Sequence, residues 1–345
     1  MGISQMSGYT KKQLLFFDLE GPLSPQDNAF EVMGLLPGGR QIFEVISRYD
    51  DLLALEGRVD YEPGDTLRLI VPFLVAGGII EKQITEVSAR AGLVSGAKEL
   101  IGGLLSDAWT VYIVSTSYEQ HAKNIARQIG LPSAQVLCTT FPLNSLKGQV
   151  SSHEVQLLNG VRDKVASELF DENLADGVKD SVLKPYLDEF YWQSLPNTQI
   201  GKLIGSVTVL GGRRKLWAME RVCVHESQFF EDVAFVGDSI TDAQAARAIE
   251  AFGGLSLAFN ANAFVLPYAT VAVASASLYD IKPILNVWRR GGRWAVREHI
   301  EKQRGQAAAA RSDWLPGLPE TRMREVLSSH KEARARVRRE AARLG

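Results

Sequence analysis

Several apolar runs in this chain end in side chains that are able to do chemistry. The run at 14–17 leads directly into Asp18, and Glu20 follows two residues later. A second apolar run ends in Ser115 and Thr116. Further residues of these kinds follow in the second half of the chain: Lys215, Asp238 and Asp242. Carboxylates that gather at one place repel one another unless a cation neutralises them, and their oxygens are ligands that Mg²⁺ prefers.

The hydroxyls and the lysine of this set suit the oxygen atoms of a phosphate group, through hydrogen bonds and as a point charge. Asp18 adds a carboxylate that is able to form a covalent intermediate. A nucleophilic acid, a metal site and a phosphate clamp together indicate phosphoryl transfer through an aspartyl-phosphate. Residues two apart in an extended segment share a face, so Asp18 and Glu20 are expected to reach one substrate.

The apolar runs that carry these residues are short and closed by turn formers, and Gly21 and Pro22 close the first of them. Such runs are typical of buried strands in a parallel sheet, which places its ligands at the carboxyl ends of its strands. Helical segments between the runs predict an α/β fold with a Rossmann-like parallel sheet. The predicted strands lie at 14–17, 109–114, 135–141, 232–236, 255–259 and 271–274.

Two segments without strand signals interrupt the predicted sheet. Residues 24–105 are expected to form a helical cap. Residues 148–204 are expected to form a second helical insertion that covers the site, extends the cap or forms an interface. The predicted catalytic core consists of residues 10–23, 106–147 and 205–287, and a basic helical C-terminal tail at 288–345 follows it.

Composition fits a globular protein with two domains or one decorated domain. The 345 residues are 46% hydrophobic and 23% charged, with a net charge of -2. Cys138 and Cys223 stand in apolar contexts and form no zinc-type cluster, so we expect a reducing, cytoplasmic location. The longest apolar run, at 69–80, is too short to span a bilayer, so no membrane partner is expected.

The net charge hides an asymmetry between the tail and the rest of the chain. Residues 285–345 hold 15 Lys and Arg against 7 Asp and Glu, so the remainder is acidic. A basic helix at 320–344 with few interleaved aromatic residues is typical of a solvated or docked helix, and no nucleic-acid partner is expected. Because every residue of the chemical set precedes 243, we expect the tail to be dispensable for the chemistry.

With these residues in order, the chain resembles the haloacid dehalogenase superfamily. Residues 18–23, Asp-Leu-Glu-Gly-Pro-Leu, resemble its first motif, Asp-x-Asp-Gly-x-Leu. Ser115 resembles the second motif, Lys215 the third, and 237–242, Gly-Asp-Ser-Ile-Thr-Asp, the fourth. The phosphoserine phosphatase-like branch fits best, because its helical cap lies between the first two motifs, as 24–105 does here. The chain is also similar to archaeal-type hydrolases labelled subunit R of energy-converting hydrogenase A, but these residues give no support for a hydrogenase partner.

The resemblance implies a Mg²⁺-dependent phosphatase that acts on a small phosphorylated substrate. It makes Asp18 the nucleophile and a Mg²⁺ ligand. It makes the backbone carbonyl of Glu20 a second ligand and the Glu20 side chain the general acid and base. The implied phosphate-binding residues are Ser115, Thr116 and Lys215. The implied metal set also includes Asp238 and Asp242, with Asp242 acting through water or through Lys215.

Several alternatives stay open. Glu20 stands where the motif has Asp, which leaves water or an alcohol as the phosphoryl acceptor. A non-catalytic phosphate-binding subunit would keep the fold without turnover, and Asp242 could be only a favourable charge at a helix start. Residues 237–241 also match esterases that use Ser239 as nucleophile. Such enzymes need an Asp three residues before a His. Two histidines follow residue 242, His299 and His330, and the residues three positions before them are Val296 and Leu327.

Overall fold

The computed structural model describes residues 13–146, 150–165, 176–304 and 310–344. Within these residues one seven-stranded sheet has the order β3-β2-β1-β4-β5-β6-β7. Strands β1 to β6 pair in parallel, and β7 pairs with β6 in the antiparallel direction. The strands are β1 Gln13–Phe17, β2 Trp109–Tyr118, β3 Val136–Thr139, β4 Val233–Gly237, β5 Leu255–Phe259, β6 Val271–Ala274 and β7 Arg311–Trp314.

Helices connect the parallel strands and form the cap. The α-helices of the described residues are α1 Asn28–Met33, α2 Gly39–Glu56, α3 Thr66–Leu69, α4 Val71–Ala76, α5 Glu81–Ala89, α6 Ala97–Ser106, α7 Glu119–Ile129, α8 Ser152–Lys164, α9 Asp176–Glu189, α10 Gln199–Ile204, α11 Gly212–Glu226, α12 Ala243–Ala251, α13 Lys282–Gln303 and α14 Glu320–Arg338. The predicted helix at 155–170 corresponds to α8, and its residues 166–170 lie outside the described part of the chain. Predicted core residues 10–12 and 147 and insertion residues 148 and 149 lie outside it as well.

Apolar residues on both faces of the sheet explain why it is buried between two helical layers. Successive side chains of a strand point to opposite faces. Leu15 and Phe17 accordingly pack in one hydrophobic cluster, with residues of α6, α7 and α13. Leu14 and Phe16 pack in another, with residues of α11, α12 and α14. The α/β fold with a mainly parallel sheet, predicted from the sequence, is confirmed.

The second insertion extends the cap, since the two share one hydrophobic cluster. Tyr49 of α2 and Tyr191 stack with ring centroids 5.9 Å apart. The Tyr191 hydroxyl donates to the backbone oxygen of Leu69 at 3.0 Å, and Trp192 Nε1 donates to the Tyr49 hydroxyl at 2.7 Å. Helix α6 differs from the other helices within 24–105, because its buried residues pack with the sheet.

The C-terminal segment adds a strand to the sheet, and its basic helix is docked, which is one of the two arrangements expected from its charge. Strand β7 pairs with β6, with Trp314 opposite Val271 and Arg311 opposite Ala274. Val326 of α14 is fully buried in a cluster with sheet residues. Among the described residues, no helix combines the length and the apolar character needed to cross a membrane.

Candidate active site

The nucleophile candidate stands where two neighbouring parallel strands end. β1 ends at Phe17, so Asp18 is the first residue beyond it, and its backbone N–H donates to Val236 of β4 at 2.8 Å. β4 ends at Gly237, which places Asp238 at the same edge of the sheet. The chain then turns at Gly21 with φ 109, and a Cβ added there would lie 2.2 Å from Asp238 Oδ2. A glycine at 21 therefore lets the loop after β1 approach the Asp238 carboxylate.

Lys215 links Asp18 to Asp242 at this edge of the sheet. It lies in the first turn of α11 and is fully buried. Its Nζ donates to Asp18 Oδ1 at 3.0 Å and to Asp242 Oδ1 at 2.6 Å. Burial alone would lower the pKa of Lys215, but the charges of Asp18 and Asp242 outweigh it and raise the pKa. The lysine is therefore protonated and neutralises part of the negative charge around Asp18.

Asp242 shapes the loop that carries Asp238. Its Oδ2 accepts hydrogen bonds from the backbone N–H groups of Asp238 at 2.9 Å and Ser239 at 3.1 Å. Its Oδ1 accepts from Lys215. Both carboxylate oxygens of Asp242 thus accept hydrogen bonds from protein groups. This arrangement agrees with the expectation that Asp242 supports the site through Lys215. The Ser239 hydroxyl bonds to Thr241 at 2.9 Å, and His330 Nδ1 accepts from the backbone of Ala261 at 2.8 Å, so neither forms an esterase pair.

The donor set suits a divalent cation. Asp18, Asp238 and Asp242 each offer one oxygen, and these oxygens lie within 4.8 Å of one another. Asp238 Oδ1 is buried and has no hydrogen-bond partner among the described residues. The pKa of Asp18 is raised well above its usual value, by burial first and then by Asp242, although Lys215 acts in the opposite direction. A bound cation would remove this penalty, so the residues fit Mg²⁺.

The two hydroxyl residues of the second motif have different environments. β2 extends to Tyr118, beyond the predicted strand end at 114, and its pairing with β3 is irregular between Val114 and Tyr118. Thr116 lines the cavity beside Asp18. Ser115 is fully buried, and its Oγ accepts from the backbone of Ser117 at 3.0 Å. Of the two hydroxyl residues predicted to bind phosphate, Thr116 lines the cavity.

Glu20 lies in the same cavity, in reach of groups that the sequence did not reveal. Its Oε1 accepts from the backbone N–H of Asn28 at 2.9 Å and lies 3.8 Å from His121 Nε2. Burial raises the pKa of Glu20, in spite of the hydrogen bond from Asn28. Burial lowers the pKa of His121 to about 3, so this imidazole is neutral at physiological pH. A raised pKa suits a carboxyl that must give and take a proton.

A small, acidic cavity of about 70 Å³ separates the core from the cap. Asp18 and Glu20 line its core side. The cap contributes Asp50 and Asp51, and Asp27 lies at the start of α1. Burial and the charge of Glu20 raise the pKa of Asp27 to about 7, and burial raises that of Asp50 to about 7 and that of Asp51 to about 6. Three carboxylates that the sequence gave no reason to select therefore line this cavity together with Asp18 and Glu20.

Two arginines of α14 reach into this cavity. Arg334 Nη1 donates to Asp238 Oδ2, and Arg338 Nη1 donates to the same oxygen at 3.1 Å. Each side chain is 5% exposed. The expectation that the tail is dispensable for the chemistry did not include these contacts, which arise because α14 packs on the sheet and brings its buried face to the end of β4. The one signal in the sequence was their four-residue spacing, which places both on one face of a helix.

Comparisons with known proteins agree with this architecture. A solved structure of a gene product from Archaeoglobus fulgidus superposes with a TM-score of 0.84 at 27% identity, covering 97% of this chain and 99% of that chain. A substrate-bound complex of phosphoserine phosphatase superposes with a TM-score of 0.50 at 18% identity, covering 79% and 97%. No protein-family model matches the chain, and no curated protein matches it.

The sheet order, the cap and the acidic strand ends define a class of fold. The chain shares the α/β fold of phosphoserine phosphatase. The predicted resemblance is thereby confirmed at the level of the fold.

Proposed function

We propose that this chain is a Mg²⁺-dependent phosphatase that hydrolyses a small phosphomonoester through an aspartyl-phosphate on Asp18. The observation that carries the proposal is the placement of Asp18. Its carboxylate lies at the carboxyl end of β1, is held by Lys215 at 3.0 Å, and shares a cavity with the acid Glu20. A nucleophile, a fixed positive charge and a general acid at one cavity are the elements that phosphoryl transfer requires.

In the proposed first step, an Asp18 oxygen attacks phosphorus while the bond to the ester oxygen breaks. Glu20 donates its proton to the leaving oxygen, so an alcohol departs and Asp18 carries an acyl phosphate. In the second step Glu20 takes a proton from water, whose oxygen attacks phosphorus. The bond between phosphorus and the Asp18 oxygen breaks, the Asp18 carboxylate is regenerated, and inorganic phosphate leaves. Lys215 and Thr116 hold the phosphoryl oxygens in both steps.

Asp18, Asp238 and the backbone carbonyl of Glu20 would hold the cation, with Asp242 supporting them through Lys215. Mg²⁺ would supply positive charge to the phosphoryl oxygens as negative charge develops on them. The raised pKa of Glu20 keeps a proton available near neutral pH.

The test is hydrolysis of a generic aryl phosphate with Mg²⁺ by the wild type and by Asp18→Asn. We expect phosphate release by the wild type and its loss in Asp18→Asn, with an unchanged circular dichroism spectrum. Borohydride reduction during turnover should convert Asp18 to homoserine, which peptide mass spectrometry detects. The matched control is Asp163→Asn, because Asp163 is an exposed carboxylate of α8. If Asp18→Asn retained activity within about tenfold of wild type, a barrier change of only about 1.4 kcal/mol, the covalent mechanism would be wrong.

A further inference from the structure

The cavity is lined by carboxylates that repel the anionic substrate it is proposed to bind. Five carboxyl groups line it, from Asp18, Glu20, Asp27, Asp50 and Asp51. Among the described residues of its wall, positive charge comes from Arg334 and Arg338 alone. Lys215, which is proposed to hold the phosphoryl group, is outside the described wall, and its Nζ contacts Asp18 and Asp242. An anionic substituent that enters the cavity therefore finds its complementary charge on α14.

Arg334 and Arg338 differ in how many of their guanidinium nitrogens are hydrogen-bonded to described residues. Arg334 is engaged at all three nitrogens: Nη1 on Asp238, Nη2 on the Leu344 oxygen at 2.8 Å, and Nε on the Ala342 oxygen at 3.0 Å. Arg338 gives Nη1 to Asp238 and Nε to the Pro25 oxygen at 3.4 Å. Its Nη2 has no hydrogen bond to any described residue. Arg334 is thus a fixed positioning residue, whereas Arg338 retains a donor for a ligand.

The position of Arg338 indicates which part of a substrate it would meet. The transferring phosphoryl group belongs beside Asp18, Thr116 and Lys215. Arg338 contacts the loop that carries Glu20 and Asp27, because its Nε donates to the Pro25 oxygen at 3.4 Å. Glu20 is the proposed proton donor to the leaving oxygen, so the leaving group passes this side of the cavity.

We propose that Arg338 recognises a second anionic group on the leaving-group side of the substrate, which makes the substrate a phosphomonoester bearing a carboxylate or a second phosphate near its ester oxygen. A guanidinium presents two parallel donors that match either anion. The hydrogen bond of Nη1 to Asp238 holds the group in place, and Nη2 donates to the anion. Helix α14 thus sets substrate specificity, while the core residues perform the chemistry.

This inference rests on the proposed function for its kinetic test, which compares three small probes. Ethyl phosphate has no second anion, 2-phosphoglycolate adds a carboxylate, and ethylene glycol bisphosphate adds a phosphate. We expect the wild type to favour one of the two doubly anionic probes by about 10- to 100-fold in kcat/KM, as one charge-assisted hydrogen bond allows. The favoured probe identifies the anion. Equal kcat/KM for all three probes would overturn the proposal.

Variants locate the preference on one side chain. Arg338→Gln should remove the preference by lowering kcat/KM for the favoured probe at least tenfold more than for ethyl phosphate, and Arg338→Lys should retain part of the preference. The control is Arg336→Gln, because Arg336 is an exposed residue of the same helix. If Arg338→Gln lowered kcat/KM for ethyl phosphate as much as for the doubly anionic probes, Arg338 would act on the phosphoryl group or on Asp238, and the proposal would be wrong.

A binding experiment keeps the inference separate from the proposed function. Calorimetry with Asp18→Asn measures the affinity of the same probes without turnover. We expect 2-phosphoglycolate or the bisphosphate to bind at least tenfold more tightly than ethyl phosphate, and Arg338→Gln in this background to abolish the difference. Such a result supports the inference even if the wild type hydrolyses none of the probes. Equal affinities, or a difference that survives Arg338→Gln, would overturn it.

Discussion

Replacing Lys215 by Met tests the electrostatics of the site most directly, because it removes one charge and keeps a side chain of similar length. Lys215 is fully buried, and its Nζ touches Asp18 at 3.0 Å and Asp242 at 2.6 Å. Removing one partner of a buried ion pair leaves an uncompensated charge and costs about 3–5 kcal/mol. Domains of this kind unfold with about 5–15 kcal/mol. The substitution should therefore remove a large part of the stability of the metal-free protein.

The loss should depend on pH in a direction that the structure defines. In the wild type the pKa of Asp18 is already raised above its unfolded value, by burial and by Asp242, and Lys215 limits the increase. Without the lysine the folded-state pKa rises further. A carboxyl with a raised folded-state pKa carries no penalty below its unfolded pKa. The loss of unfolding free energy grows as the pH rises from the unfolded-state pKa towards the folded-state pKa, by about 1.4 kcal/mol for each pH unit in between. Lys215→Met should therefore be less stable at pH 8 than at pH 5.

Urea unfolding followed by circular dichroism, at pH 5 and pH 8 and with chelator or Mg²⁺, measures these quantities. We expect the difference in unfolding free energy from wild type to be larger at pH 8 in chelator, and Mg²⁺ to recover part of it by compensating the carboxylates. Lys98→Met is the control, because Lys98 is an exposed residue of α6. A loss below about 1 kcal/mol at pH 8, or a loss independent of pH, would refute the charge balance described here.

Three further predictions concern the acid, the C-terminal helix and the cap. Glu20→Gln should lower the rate by about 10² to 10⁴ with little change in Mg²⁺ affinity, because it removes the proton donor and keeps the backbone carbonyl, while Glu20→Asp should keep partial activity. Kinetics and metal titration check both, and a parallel loss of Mg²⁺ affinity would make the side chain a ligand. A chain ending at Pro319 should lose about 1.5–3 kcal/mol of stability from the burial of Val326 alone. It should also release phosphate more than tenfold more slowly, because both guanidinium groups are removed. Unchanged melting and activity would show that α14 is dispensable. Tyr191→Phe should destabilise the protein by about 1 kcal/mol in thermal unfolding, because the backbone carbonyl of Leu69 loses its hydrogen-bond donor. The control Tyr268→Phe, at an exposed tyrosine, should have no such effect. Equal effects of the two substitutions would contradict a cap shared by the two insertions.

The strands that position the site could be predicted because their signals are local. β1 and β4 are uninterrupted apolar runs that end in turn residues, and such runs have few alternatives to a buried parallel strand. β7 could not be predicted, because Arg-Ser-Asp-Trp at 311–314 has a single apolar residue. It is an antiparallel strand at the edge of the sheet, where one-sided contact allows a polar sequence. Its pairing depends on the register of β6 and not on its own composition.

The same distinction applies to the site. Asp18 and Asp238 could be selected because each follows directly on a predicted strand, and adjacent parallel strands bring their ends together. Arg334 and Arg338 are two among many basic residues of the last sixty positions. Only the packing of α14 against the sheet, with Val326 fully buried, shows which of its faces points inward. Sequence patterns thus locate groups fixed by their own strand, and groups that depend on docking of a distant helix are visible only in the structure.

The C-terminal segment also joins the core to the cap at the cavity. Arg334 links Asp238 to the backbone oxygens of Ala342 and Leu344, and Leu344 is buried in the hydrophobic cluster of the cap. Leu344 lines the cavity as well. The cavity is small, about 70 Å³, and only partly enclosed, so the cap and this segment together set the space that is available to a ligand. Because the cap and the segment share one cluster, movement of either one must break the burial of Leu344 or the hydrogen bonds of Arg334.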